Sequence, residues 1–450
     1  MTQNPRQLAF LALRAIQKGA FADVAVDQAL HRSDVTVLDR RLFTELVYGT
    51  IRRQRTLDAL IDQFAKKKDQ PPDLRLILQL GLYQLRYLDQ IPASAAVDTS
   101  VELAKQNKLG GLTGVVNGLL RQYLRARFRV PEATQTILHT DPLQLPEDPI
   151  ARIGTFHSYP DWIVQVWCDQ FGIENTEKLC EWMNQPPQID LRINTLKTDI
   201  DHVEAAMMAQ NIKVARISHL PHALRLPSSA GAIHHLPGYA EGWWMVQDSS
   251  AQLVSYLVDP QPGETIADAC AAPGGKTLHL AELMHDRGTV WAIDKTASRL
   301  KKLQQNLDRL SFTSIQTLMS DSRNVPQLKG QCDRVLVDAP CSGLGTLHRH
   351  ADARWRQTPQ SATELAQLQL EILTEAATWV KPQGVLVYST CTLNPIENEA
   401  VVEKFLAHYA NWSIETISLL SDFTTSEGWI KVLPYCHNMD GFFMVRLKHE

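Results

Sequence analysis

Cysteine is scarce in this chain. Seven cysteines are scattered over 450 residues, and none of them forms a C-x-x-C pair. An odd number of dispersed thiols argues against a disulfide framework, and the missing pairs argue against a zinc site of common spacing. Long apolar runs are missing too, since no stretch approaches the roughly 18 apolar residues of a membrane span. We therefore expect a reduced, cytoplasmic protein without a metal site and without a membrane partner.

Basic residues are slightly fewer than acidic ones, 45 against 49, but they are concentrated at one end of the chain. The net charge is −4, yet residues 1–140 contain 20 Lys and Arg against 13 Asp and Glu. The basic residues collect in RRQR (52–55), KKK (66–68) and RQYLRARFR (121–129). Such patches suit a polyanion, although solvated helix faces explain the same pattern.

The apolar pattern changes twice along the chain, which predicts three regions. Spacings of three and four residues through residues 1–130 indicate an all-α bundle. A polar, proline-containing linker (139–149) follows, and a strand, helix, strand pattern then indicates a small α/β subdomain. Beyond it, apolar strands alternate with helices, as in a doubly wound, largely parallel, Rossmann-like sheet. We expect the domain boundaries 1–140, 150–245 and 246–450.

The first strand of the third region leads into the loop ADACAAPGGKT (267–277). A phosphate-binding loop would need glycine where Cys270 stands, and the dinucleotide fingerprint G-x-G-x-x-G is also absent. Ligands of such sheets bind beyond the carboxyl ends of the strands. There, Asp268, Asp294 and Asp321 suit a nucleoside without a phosphate tail, such as S-adenosylmethionine. Asp294 would accept the ribose hydroxyls and Asp321 the adenine amino group, although each aspartate alone is also common as a cap or turn residue.

Two further strands end at thiols, in VDAPCSGLGT (337–346) and YSTCTLNPIENE (388–399). Methyltransferases of exocyclic amines resemble one another in an Asn/Asp-Pro-Pro-aromatic turn, and Asp-Ala-Pro-Cys here argues for a carbon acceptor instead. The C5 carbon of cytosine becomes nucleophilic when a thiolate adds to C6. A second thiol nearby is useful for release, after a base has removed the C5 proton. Spacing alone leaves open whether Cys341 or Cys391 is the nucleophile.

These three motifs resemble those of RNA cytosine-5 methyltransferases. The first 130 residues resemble the RNA-binding NusB antitermination fold in DRRLFTELVYGTIRRQ, LQLGLYQLRYL and VVNGLLRQYLR. Together they resemble the Fmu/Sun family of bacterial 16S ribosomal RNA methyltransferases over essentially the whole chain. The resemblance implies S-adenosylmethionine as cofactor and small-subunit ribosomal RNA, not DNA, as substrate. We expect a monomer.

The resemblance also implies roles for individual residues. Cys391 would be the nucleophile, Cys341 would assist product release, and Asp338 would hold the cytosine edge near N3 and N4. The residues expected to contact the cofactor are Cys270, Ala271, Ala272, Pro273, Gly274, Gly275, Lys276, Asp294, Asp321 and Asp338. What activates the Cys391 thiol stays open, since Lys276 is either an electrostatic partner or a solvated lysine.

Two alternatives to this function remain. Related enzymes share the catalytic motifs but act on transfer RNA, and only the NusB-like region favours ribosomal RNA, by analogy. The basic bundle also fits an RNA-binding, antitermination-like adaptor with an inactive methyltransferase domain. The intact Cys391, Cys341 and Asp338 argue against the adaptor.

Overall fold

The computed structural model describes residues 4–31, 33, 35–129, 138–139, 141–227 and 230–450. The chain forms two compact units. The first consists of Met1–Asn184 and Leu347–Arg356, and the second of Gln185–Thr346 and Gln357–Glu450. Within the described ranges, no helix is both long enough and apolar enough to cross a membrane.

The N-terminal region is helical, as its apolar spacing predicts. Its elements are α1 (Pro5–Gln17), α2 (Ala22–His31), α3 (Val37–Arg52), α4 (Gln54–Phe64), α5 (Pro72–Tyr87), α6 (Ala93–Gln106), α7 (Thr113–Arg127), β1 (Phe128–Arg129), β2 (Leu138–His139), α8 (Pro149–His157) and α9 (Asp161–Trp182). The helical pattern is interrupted at Arg53, where φ is −107°, so α3 and α4 are separate helices. The linker prediction (139–149) falls partly on residue 140, outside the described residues.

Helix α5 is the central helix of this bundle. Eleven of the twelve positions from 74 to 85 are buried, all except Arg75. Close contact with α3 requires a glycine, since a Cβ on Gly49 would lie 2.0 Å from the Tyr83 ring. Side chains therefore surround α5 on all sides, and the helical turns of the neighbouring α3 pack directly on it.

The middle region is a small α/β structure. Its elements are β3 (Ile189–Ile193), α10 (Ile200–Ala209), β4 (Ala215–Arg216), β5 (Ala223–Leu226) and β6 (Trp244–Val246). The strands form an antiparallel sheet in the order β4-β5-β3-β6. Val203 and Met207 of α10 pack against Leu191 and Trp244 of the sheet. Asp199 caps α10 by accepting a hydrogen bond from the backbone N–H of His202.

The C-terminal region alternates strands with helices. Its elements are α11 (Ser249–Val258), β7 (Thr265–Asp268), α12 (Gly275–Leu283), β8 (Thr289–Asp294), α13 (Ala297–Leu310), β9 (Ile315–Met319), β10 (Cys332–Asp338), α14 (Ala353–Arg356), α15 (Pro359–Ala377), β11 (Val380–Thr390), α16 (Glu399–His408), β12 (Trp412–Ile414), β13 (Ile430–Val432), α17 (Pro434–His437) and β14 (Phe442–His449). The sheet order is β12-β14-β11-β10-β7-β8-β9, and β13 also pairs with β14. The strands from β11 to β9 are parallel, and β14 is antiparallel to β11. The prediction of a doubly wound, largely parallel sheet is confirmed.

Strand β11 shows why the apolar runs predicted buried strands. Leu386 and Tyr388 point into the core on one face of the sheet, and Val385 and Val387 point into the core on the other. Both faces are therefore covered, which explains a continuous apolar run instead of an alternating one. The strand order reverses between β7 and β10, and such a switch point opens a crevice at the carboxyl ends of the strands.

The segment Leu347–Arg356 interrupts the second unit in sequence and packs within the first. Its anchor is Arg354, whose guanidinium is completely buried. The guanidinium donates hydrogen bonds of 3.1 Å to the carbonyl oxygens of Arg52 and Ser158 and to Asn184 Oδ1. Burial lowers the pKa of Arg354 to about 10, and its hydrogen bonds satisfy backbone groups that water does not reach.

Replacing Arg354 with Met should destabilise the first unit by on the order of 3 kcal/mol, because several buried acceptors lose a charged donor at once. Urea unfolding followed by circular dichroism measures this loss. Arg125→Met, an exposed residue of α7, is the matched control and should leave the unfolding midpoint nearly unchanged. Equal midpoints for the two variants would contradict the anchoring role of Arg354.

Candidate active site

Polar side chains collect where the parallel strands end. Asp268 is the last residue of β7, Asp294 the last of β8 and Asp338 the last of β10. Cys391 follows β11 immediately. Because the carboxyl ends of parallel strands share one edge of a sheet, all four residues lie at the edge predicted for ligands.

A cavity of about 300 Å³ opens at this edge. Of the predicted site residues, those that line it are Cys270, Ala272, Pro273, Asp294, Asp321, Asp338, Cys341 and Cys391. The rest of the wall consists of Ala269, Lys295, Arg299, Ser322, Ala339, Pro340, Leu368 and Ile372. The predicted residues that do not line it are Ala271, Gly274, Gly275 and Lys276, which belong to the same loop. Most of the predicted residues thus surround one space.

The loop between β7 and α12 is held from inside by Asp268. This carboxylate is 1% exposed and accepts a 2.7 Å hydrogen bond from the Thr277 hydroxyl. Burial raises its pKa to about 7. The turn itself needs glycine at one point, because Gly274 caps α12 with φ +109°. Asp268 therefore shapes the loop and is not itself on the cavity wall.

The two acidic residues predicted to meet a nucleoside have different surroundings. Asp294 is 4% exposed, accepts from the backbone N–H of Thr296 and pairs with Arg299 at 3.2 Å. Asp321 is half-exposed and accepts two hydrogen bonds from the Arg323 guanidinium. These bonds lower the pKa of Asp321 to about 2, so it is ionised at neutral pH.

The two thiols approach each other closely. Cys341 Sγ and Cys391 Sγ are 3.3 Å apart. Hydrogen bonding to Cys391, burial and the charges of Cys391 and Glu397 raise the pKa of Cys341 well above its usual value. Cys341 therefore keeps its proton at neutral pH while Cys391 is free of adducts.

A lysine connects the cofactor loop to the strand that precedes Cys341. Lys276 Nζ donates a 2.7 Å hydrogen bond to Asp338 Oδ2, and the Ser389 hydroxyl donates to Asp338 Oδ1 at 2.9 Å. Burial alone would lower the pKa of Lys276, but the Asp338 charge and hydrogen bond and the Cys391 charge raise it above its usual value. Lys276 is therefore a buried cation within the electrostatic reach of Cys391.

Sequence reasoning missed the carboxylate that joins the two thiol loops. Glu397 is 0% exposed and accepts hydrogen bonds from the backbone N–H and the hydroxyl of Ser342, the residue after Cys341. Ser342 Oγ also lies 2.8 Å from Oγ1 of Thr392, the residue after Cys391. Gln369 Nε2 donates both to Glu397 and to the carbonyl of Pro340. Burial raises the pKa of Glu397, and the Ser342 hydrogen bonds oppose that shift.

A second missed residue is Arg192, which lies near the end of strand β3 and shares that strand with the buried Asp190. It is 1% exposed and pairs at 3.1 Å with Glu282 of α12, which is 2% exposed. It also donates to the carbonyl of Gly275 at 2.8 Å and to the Gln247 side chain. Arg192 thus holds the first turn of α12, which carries Lys276. The signal available in sequence was a charged residue within a short, mostly apolar strand, which indicates a buried partner without naming it.

Metal-binding geometry is not found in the part of the chain that the structure describes: no group of three or more His, Cys, Asp or Glu side chains there could hold a metal ion.

Sequence models of three families match the chain. The 16S rRNA methyltransferase RsmB/F family matches residues 255–448, and the NusB family matches residues 3–125. A ferredoxin-like domain of RsmF/B-like methyltransferases matches residues 159–232. The NusB-like resemblance of the N-terminal region is confirmed, and the small α/β region is ferredoxin-like.

Two relatives match this chain over nearly its full length and nearly theirs. The probable ribosomal RNA small subunit methyltransferase B of Synechocystis sp. is 49% identical, over 99% of this chain and 99% of its own. The crystal structure of PH0851 is similar over 99% of both chains, with a TM-score of 0.81 and 26% identity.

A third comparison supports the fold over about two thirds of the chain. NSun6 of Pyrococcus horikoshii, solved with an S-adenosylmethionine analogue, matches 65% of this chain and 99% of its own, with a TM-score of 0.60 and 22% identity. The cofactor of this family is S-adenosylmethionine. On these matches the chain belongs to the RsmB/F family of S-adenosylmethionine-dependent 16S rRNA methyltransferases.

Proposed function

We propose that this chain methylates C5 of a cytosine in small-subunit ribosomal RNA through a covalent bond between Cys391 and C6. The observation that carries the proposal is the pair of thiols, 3.3 Å apart, on the wall of one cavity with Asp338. A nitrogen or oxygen acceptor is nucleophilic without help from a thiol, whereas C5 needs an addition at C6. The cavity thus fits the carbon acceptor better.

The cavity also fits the cofactor. Ala269, Leu368 and Ile372 offer apolar contact for an adenine ring, and the carboxylates of Asp294 and Asp321 offer acceptors for ribose hydroxyls and an amino group. Cys270, Ala272 and Pro273 complete the contact from the loop side, as expected of a turn that a ligand approaches closely. When bound, S-adenosylmethionine supplies an electrophilic methyl group.

Cys391 begins the reaction as a thiolate. Its Sγ forms a bond to C6, and the electron pair of the C5=C6 bond makes C5 nucleophilic. The pKa of Cys341 is raised well above its usual value, so Cys341 keeps its proton, which supports Cys391 as the nucleophile. Asp338, fixed between Lys276 and Ser389, is placed to accept a hydrogen bond from the cytosine edge.

Cys341 serves the second half of the reaction. The Cys391 hydrogen bond is the largest cause of its raised pKa, and that cause changes once Cys391 is bonded to C6 as an uncharged thioether. Cys341 then loses its proton to solvent more easily and takes the proton from the methylated C5. The C–H electrons restore the C5=C6 bond and expel Cys391 as a thiolate. C5 would then have gained the methyl group, with S-adenosylhomocysteine as the other product, and lost one proton.

The remaining regions would position the RNA. We assign substrate binding to the basic NusB-like region, 1–140, and to the ferredoxin-like region, 150–245, with catalysis in 246–450. A monomer with this division acts on small-subunit RNA in the cytoplasm, where ribosomes assemble. An unpaired target nucleotide is required, because C6 of a stacked base is out of reach of a thiol.

The first test assigns the two thiols. Cys341→Ala protein, incubated with labelled S-adenosylmethionine and small-subunit RNA, should give a protein–RNA adduct on a denaturing gel, because release fails after attack. Cys391→Ala should give none. The reverse pattern would make Cys341 the nucleophile, and an adduct with transfer RNA alone would change the substrate. No adduct and no methylation with either RNA would contradict the proposal as a whole.

The second test uses pH. Because burial and the Glu397 charge still raise the pKa of Cys341 in the adduct, its thiolate fraction, and with it the release rate, should increase up to tenfold for each pH unit between about pH 6.5 and 8.5. The wild-type protein should therefore hold less adduct at steady state as the pH rises. The adduct fraction of Cys341→Ala should not fall in this way. A wild-type adduct fraction as insensitive to pH as that variant would contradict a role for Cys341 as the base.

The third test concerns Glu397 as a positioning residue. Glu397→Ala should lower turnover by roughly tenfold or more and accumulate adduct as Cys341→Ala does, because Ser342 and the Cys341 loop lose their anchor. Cofactor binding, measured by calorimetry, should change little. Glu399→Ala is the matched control, since Glu399 lies in the same motif but pairs with Lys431. Equal losses of adduct formation and release in Glu397→Ala would indicate a general structural role instead.

A further inference from the structure

The first unit contains a cavity of its own. Helices α1, α3 and α5 and the segment Leu347–Arg356 surround a space of about 330 Å³. This volume is at the lower end of the range for small-molecule sites. Its lining residues are all different from those of the methyltransferase cavity. The mechanism proposed above makes no use of it.

The wall of this cavity carries several hydrogen-bonding side chains, and one of them has no partner within the described fold. Thr50 is 1% exposed, and its hydroxyl has no hydrogen-bond partner among the described residues. A buried hydroxyl without a partner is costly, so it calls for an explanation. Gln79, also buried, has its amide orientation fixed by a 2.8 Å hydrogen bond to Asp58. Gln17 and Gln54 add two more side-chain amides to the wall.

An aromatic ring forms another part of the wall. Trp355 donates a 2.9 Å hydrogen bond from Nε1 to the carbonyl oxygen of Ile51, which fixes the plane of the indole. Both residues line the cavity, together with aliphatic side chains of α1 and α5. A fixed aromatic face beside several amides suits a flat ligand that both stacks and forms hydrogen bonds.

The charges on the wall exclude a phosphate. Asp352 and Arg356 line the cavity but pair with each other at 2.9 Å. Asp352 also accepts from the backbone N–H of Ala22, and Arg356 also donates to the carbonyl of Gly19. Neither charge is left to attract a counterion, so the ligand that fits is neutral.

We propose that this cavity takes one unpaired nucleobase of the RNA substrate. A nucleobase is flat and neutral and carries the donors and acceptors that amides and hydroxyls recognise, and unstacked bases of single-stranded RNA bind in this way. Lys18 is exposed between the lining residues Gln17 and Gly19, where it can meet the backbone of the same strand. The proposal rests on the small-subunit RNA substrate but not on the thiol chemistry.

Thr50→Val is the most specific variant, because it removes only the unpartnered hydroxyl and keeps the side-chain volume nearly constant. Its thermal stability should equal or exceed that of the wild-type protein, since no hydrogen bond within the fold is lost. Its affinity for protein-free small-subunit RNA, measured by filter binding at fixed salt, should fall several-fold. The affinity of Trp355→Leu for the same RNA should fall about tenfold, because stacking on the indole is lost. Thr44→Val, on the same helix outside the cavity, is the control and should bind normally.

Ultraviolet cross-linking followed by mass spectrometry identifies the nucleotide. We expect one nucleotide attached to a peptide that contains Trp355 or Gln54. RNA with an abasic residue at that nucleotide should bind weakly to the wild-type protein. It should bind Thr50→Val with the same low affinity, because the abasic residue and the substitution remove the same contact. Normal RNA binding by both cavity variants would overturn the proposal, as would additive losses of affinity when the abasic RNA is combined with Thr50→Val. The cavity would then be filled by solvent or by a protein side chain. Because these readouts do not require methyl transfer, they separate this proposal from the thiol mechanism.

Discussion

The parallel pairing of β10 with β11 is the constraint on which the candidate active site depends. The register places Val337 beside Tyr388 and Asp338 beside Ser389. Both strands therefore end at the same level, and the loops that follow begin side by side. The 3.3 Å separation of the two thiols follows from this register, since Cys341 and Cys391 come three residues and one residue after the two strands. A shift of register would separate them by a residue repeat of about 3.3 Å.

Strand pairing alone leaves the loops free to move, and buried polar contacts hold them in place. Glu397 and Gln369 hold the backbone around Cys341, and Ser342 meets Thr392 beside Cys391. On the other side, Arg192 holds the start of α12 and so the position of Lys276. Each of these polar groups is costly to bury without a partner, so each contact specifies one arrangement of its loop.

The sequence allowed the strands and their ends to be predicted, because β10 and β11 are buried on both faces and their apolar runs stop where the loops begin. The edge shared by Asp338, Cys341 and Cys391 followed from the parallel sheet. The Glu397 network could not be predicted, since Ser342, Gln369 and Glu397 come from three separate elements and nothing local in sequence links them. The break at Arg53 was missed for a related reason: α3 and α4 both continue a helical apolar pattern, and only tertiary packing decides where one ends.

Two adjacent thiols can ensure that the two halves of the proposed reaction occur in the right order. Two negative charges 3.3 Å apart in a buried site repel strongly, so the pair carries at most one charge at a time. Cys341, whose pKa is raised by Cys391 and by burial, is not the thiol that carries this charge in the free enzyme. Alkylation of Cys391 removes its charge, and only then does ionisation of Cys341 become favourable. A carboxylate in place of Cys341 would be charged from the beginning and would oppose formation of the Cys391 thiolate, which gives a physical reason for a second thiol at this position.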